Sequence, residues 1–98
     1  LYEARNEYRD VLQFYKAQLG GKYARAFADK VLSAVRQLSR FPESGVLRSE
    51  ALMGRYGFRA LFIDHYVCIY KIWNNTVFIY HFTDARKNYI YQIFGFEE

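Results

Sequence analysis

One cysteine, one proline and two histidines in 98 residues exclude several kinds of protein at once. Cys68 has no partner within the chain, which rules out an intramolecular disulfide and a cysteine-based metal cluster; mid-strand, it is a small apolar residue in a reducing compartment. His65 and His81 are too widely separated to suggest a metal site, so neither metal nor cofactor is expected. No apolar run approaches the ~20 residues needed to cross a bilayer. No cationic, apolar and then small-residue leader opens the chain. A soluble, cytoplasmic protein with no membrane partner is the expectation. The sequence also lacks a glycine-rich phosphate loop, a Ser-His-Asp set, paired catalytic carboxylates, linkers and repeats. It begins at Leu1 rather than Met, as a fragment would.

Large side chains are plentiful. Apolar residues make up 52%, and ten Tyr, nine Phe and one Trp are enough to build a core at a length where small domains are otherwise marginal. Residues 1–98 are expected to form one domain. The formal charge is +4 and the pI about 9.3, a modest bias toward polyanions or acidic partners. Up to Gly45 there are eight Lys and Arg against five Asp and Glu, and after it six against five. The first part therefore carries more of the net charge.

Ala4, Tyr8, Val11, Leu12, Tyr15 and Leu19 recur at helical spacing, and Gly20-Gly21 stops that helix. Ala24, Phe27, Val31, Ala34, Val35 and Leu38 form the stripe of a second helix, closed by Phe41-Pro42 because the residue before proline is pushed out of the helical region. The short joint predicts an antiparallel helical hairpin. Val46 to Gly57 shows no sustained period. Phe58 to Ile63 alternates as a strand does, with Phe58, Ala60 and Phe62 on one face and Arg59, Leu61 and Ile63 on the other. Tyr66 to Trp73 is nearly all apolar, as a central strand is, and Asn74-Asn75 suits a two-residue hairpin turn before a third strand from Thr76 to Thr83. The expected fold is α+β: a two-helix antiparallel hairpin packed on an antiparallel meander sheet, with a further edge strand missing.

The chemistry-bearing candidates cluster late. Arg86 and Lys87, followed by Tyr89 and Tyr91 and with Arg59 as a further cation, have the residue types for holding phosphates and stacking bases. Equally, they fit a solvated terminus with packed tyrosines. Lys71 within an apolar strand either snorkels at an edge or lines a concave site. His81, sharing a face with Ile79 and Thr83 by simple alternation, is either a general acid or base or a bystander.

The order of these elements, with Leu38-Ser39-Arg40-Phe41-Pro42-Glu43-Ser44-Gly45, Phe58-Arg59-Ala60-Leu61, Tyr66 to Ile72 and Val77 to Tyr89, resembles the RelE/ParE superfamily of toxins from bacterial type II toxin-antitoxin modules. The resemblance covers nearly the whole chain. It implies an N-terminal strand ahead of the first helix, a cognate antitoxin as partner, and no metal or other cofactor. RelE-like members cleave mRNA on the ribosome, and matching positions make Arg59, Arg86 and Tyr91 or Tyr89 the implied catalytic set; from residue types, Arg59, Lys71, His81, Arg86, Lys87 and Tyr89 are the expected surface for a partner or nucleic acid. Against that, Leu61 and Val67 stand where such nucleases tend to have cations, and Asp84 would repel an incoming phosphate. ParE-like members inhibit DNA gyrase by protein contact, and the Phe41 to Gly45 turn and Arg86-Lys87-Asn88-Tyr89 segment fit that branch. The expected function is a growth-inhibiting toxin acting on DNA gyrase or on ribosome-bound mRNA. The alternatives are a non-toxic member that retains only antitoxin binding and a generic single-strand nucleic-acid binder.

Overall fold

A computed structural model of the chain describes residues 2–47 and 57–87. Helix α1 (Tyr2–Leu19) and helix α2 (Gly21–Arg40) are joined by Gly20 alone, whose φ of 95° lies in a region that side chains disfavour. Both helices turn their apolar stripes inward: Tyr8, Val11, Leu12 and Tyr15 of α1 pack against a core that includes Phe27 and Val31 of α2. The Phe41 N–H still reaches Gln37 O at 2.8 Å, and Pro42 then begins a single 3-10 turn, Pro42–Ser44.

Four antiparallel strands follow, β1 (Val46–Leu47), β2 (Arg59–Ile63), β3 (Tyr66–Trp73) and β4 (Thr76–Asp84), in the order β1-β2-β3-β4. The meander and its turns match the sequence expectation. Asn74 and Asn75 both have positive φ, 53° and 61°, the backbone that a tight hairpin needs. β1 was not anticipated, because two residues are too few to show a period; it pairs Val46 with Ala60 and Leu47 with Arg59.

The face of β4 differs from the expectation in one respect. The register shifts between Ile69 and Tyr70, so Ile69 pairs with His81 while Tyr70 pairs with Ile79, leaving Tyr80 as the extra residue of a bulge. Ile79 therefore packs against the helix-side core, and His81 does not share its face as simple alternation implies.

The core between helices and sheet is strongly aromatic. Tyr66 and Phe82 stack at 5.4 Å, Tyr8 meets Phe82 edge-on at 5.4 Å, and Tyr15 meets Phe27 edge-on at 4.7 Å. Phe58, Ala60, Val67 and Ile69 form a second buried cluster with Tyr80 and Ala85 packed against it, so β3 is apolar on both sides. This explains its unbroken apolar sequence.

Midway along β3, Tyr70 is fully buried and its hydroxyl donates to Pro42 O at 2.7 Å while accepting from the Gly45 N–H at 2.9 Å. Arg59, opposite Tyr70 in the register, donates from Nη1 to Gly45 O at 3.1 Å and Glu43 O at 3.4 Å. The turn after α2 is thus held by two side chains of the sheet. A Cβ on Gly45 would sit 2.3 Å from the Tyr70 hydroxyl, so glycine is required for space. Gly45→Ala is expected to cost about 1–3 kcal/mol through overpacking. Tyr70→Phe, which leaves both backbone groups without the hydroxyl, should also cost about 1–3 kcal/mol. Urea unfolding of both single variants and the double variant should show costs that are less than additive, since removing the hydroxyl relieves part of the clash.

Candidate functional site

The late basic segment emerges from β4 beside α1. An open cleft of about 490 Å³ lies there, lined by Glu7, Asp10, Phe14, Tyr66, Asp84 and Arg86 among others. Glu7, which no local sequence pattern singles out, accepts a hydrogen bond from the Phe82 N–H at 3.0 Å and lies 3.2 Å from His81 Nδ1. It reaches across from a residue 74 positions earlier in the chain, so no local pattern marks it. His81 is half-buried against this carboxylate.

Arg86 is held by Asp84. The guanidinium donates to both carboxylate oxygens, at 3.0 and 2.7 Å, and the Arg86 N–H donates to Asp84 Oδ1 at 2.9 Å. Ala85, between them, is tied by its N–H to His65 O at 2.8 Å. This two-pronged contact with Arg86 pulls the Asp84 carboxyl from 3.8 down to about 2 and raises the Arg86 guanidinium. The neighbourhood is not cationic overall: Glu7, Asp10 and Asp84 face Arg86 and Lys87 around the cleft.

The other candidates are dispersed. Arg59 pairs with Tyr70 and Asp84 with Tyr66, which places them four residues apart along β3, about 13 Å by strand rise, with Arg59 turned to backbone carbonyls. Lys71 is on the central strand, not at a sheet edge, and its Nζ sits 4.4 Å over the Phe58 ring and 5.8 Å from that of Tyr80. Lys87 is exposed next to Arg86. Tyr89 and Tyr91 lie outside the described residues. The Cys68 thiol is buried and pushed up to about 12 by desolvation, which makes it unreactive. Among the described residues no helix is long and apolar enough to cross a membrane, and no group of three His, Cys, Asp or Glu side chains is placed to hold a metal.

A helical hairpin packed on an antiparallel meander that ends in this short Asp-Ala-Arg-Lys turn is the architecture expected of a RelE/ParE-type toxin. The chain matches, over residues 2–89, the family described as ParE toxin of type II toxin-antitoxin system, parDE, and it belongs to that family. No individual curated protein matches it. Membership makes it a toxin-type domain with an antitoxin as its partner.

The Asp84–Arg86 contact sets a pH dependence. A carboxyl lowered in the folded state adds stability above its unfolded value and loses it as pH falls through the folded value, here between about 4 and about 2. Melting temperatures of the wild type should fall through that window more steeply than those of Asp84→Asn, which has no such proton to gain. Equal slopes would show that the contact contributes nothing in solution.

Proposed function

We propose that this chain is a growth-inhibiting toxin that acts by protein contact with DNA gyrase, held inactive in the cytoplasm by an acidic antitoxin segment. One observation carries the choice of target: the cations on which an mRNA-cleaving mechanism would depend are engaged within the fold. Cleavage by attack of a ribose 2′-hydroxyl on the adjacent phosphate needs free cations converging where negative charge develops. Arg59 is turned to Gly45 O and Glu43 O, Arg86 is forked onto Asp84, and the cleft beside Arg86 contains three carboxylates. A protein–protein contact needs no such convergence. Exposed Phe14 beside the same cleft, with Arg86 and Lys87 at its rim, offers the mixed apolar and charged surface that such contacts use.

Induced expression in bacteria should arrest growth, with relief by a co-expressed antitoxin. Primer extension shortly after induction should show intact transcripts, and purified gyrase should lose supercoiling activity on adding the protein. Arg86→Ala should leave the transcript pattern unchanged. Translation-dependent cuts that vanish in Arg59→Ala and Arg86→Ala would replace this reading with ribosome-dependent mRNA cleavage. Normal growth with soluble, antitoxin-binding protein would make it a non-toxic binding module.

A further inference from the structure

The protein's basic character is concentrated on one helix face away from the cleft. α2 contains Lys22, Arg25, Lys30, Arg36 and Arg40 against Asp29 alone, a net +4, equal to the formal charge of the whole chain. The rest of the molecule is neutral in sum. Lys30 is paired with Asp64 at 3.0 Å, on the flank of the helix. The remaining cations lie at positions 22, 25, 36 and 40, which with Asp29 and Ser33 fall within an arc of about 80° at 100° per residue. That arc is opposite the buried Phe27, Val31 and Leu38. Every residue in it is exposed, and none of its four cations has a carboxylate partner among the described residues.

We propose that the outer face of α2 docks on the phosphate backbone of duplex DNA. Four cations without a carboxylate partner among the described residues, three of them arginines, extend over about 27 Å of a straight rod, and arginine's fork matches phosphate oxygens in pairs. Within the arc there is no aromatic or aliphatic side chain, and exposed Phe41, which borders a groove with Arg36 and Arg40, lies past the C-terminal end of the stripe. A single strand would need a series of rings along the stripe for successive bases to stack on, and an acidic protein segment would need apolar anchors along it. The exposed large apolar residues of α2 lie off the arc: Tyr23 borders a groove with Leu19, and Leu32 borders one with Ala4 and Tyr8. The face meets a charged, shape-regular backbone and reads no sequence. This docking is a property of the purified protein and does not depend on which cellular target the toxin has.

The test is fluorescence anisotropy of a short labelled DNA duplex titrated with the protein from about 50 to about 200 mM salt. If three to four phosphates are neutralised, log K should fall with log salt with a slope of about 3 to 4. Arg36→Gln with Arg40→Gln should weaken binding roughly tenfold or more at low salt and lower the slope by about 2. Arg5→Gln with Arg9→Gln, which removes the same charge from exposed positions of α1, should leave the slope unchanged; circular dichroism checks that both variants are folded. Equal loss in the two double variants would mean attraction to net charge only and overturn the proposal. So would a flat salt response, tighter binding of a single strand or of duplex RNA, or displacement of the duplex by poly-glutamate at matched charge concentration.

Discussion

The buried Tyr70 hydroxyl is the contact on which the arrangement of the two layers depends. It sits on the central strand, yet both its hydrogen bonds go to the turn after α2, donating to Pro42 O and accepting from the Gly45 N–H. Burial raises the phenol's pKa, so it keeps the proton it donates. Because the hydroxyl occupies the space a side chain at position 45 would take, the turn must pass at glycine. The chain then enters β1 beside β2, and Arg59 closes the other side of the turn by donating to its carbonyls. The C-terminal end of α2 is thereby tied to the middle of the sheet. The stripe of cations on its far side points away from the core for the same reason.

The cations divide into those that serve the fold and those that no described contact engages. Arg59 satisfies backbone carbonyls, Lys71 rests over Phe58, and Arg86 is held by a carboxylate two residues earlier. Each is a residue type suited to phosphate, and each has an intramolecular contact. The α2 cations have none among the described residues apart from Lys30 with Asp64, an exposed pair of the kind that contributes only about 0–1 kcal/mol. Net charge divided at Gly45 pointed to the helical half of the chain. Only the helix geometry shows that a net +3 of the formal +4 lies on one side of one helix.

The features legible in the sequence were those written in local patterns. Both helices, the break at Gly20-Gly21, the stop at Phe41-Pro42 and the Asn74-Asn75 hairpin follow from spacing and backbone preference, while β2 follows from alternation and β3 from an unbroken apolar run; the joint itself is Gly20 alone, since Gly21 already begins α2. β1 escaped because Val46-Leu47 forms a strand only through pairing with β2. The bulge at Tyr80 escaped because a one-residue register shift leaves no mark on a run of residues that suit either face, and it carried His81 away from Ile79. The Phe41 to Gly45 segment was visible as a family motif, whereas its cause, the Tyr70 hydroxyl, is 25 residues from Gly45. Glu7 was invisible on the same ground. At the late basic segment, the residue types were legible and their engagement was not. Asp84 was expected to repel an incoming phosphate, and the structure adds that it already occupies Arg86.

The Asp84–Arg86 fork limits what this end of the sheet can do. For Arg86 to take a phosphate on its Nε and Nη2 edge, the phosphate must displace a carboxylate that is covalently two residues away and is also fixed by the Arg86 N–H. Such a competitor is present at an effective concentration set by a single turn, far above that of any free ligand. Protonating Asp84 would release the arginine, but with its carboxyl lowered to about 2 this does not happen near neutral pH. A partner protein meets no such obstacle. It can pack on Phe14 and the rim of the cleft while the fork stays closed, using Arg86 as part of a rigid, nearly charge-balanced surface.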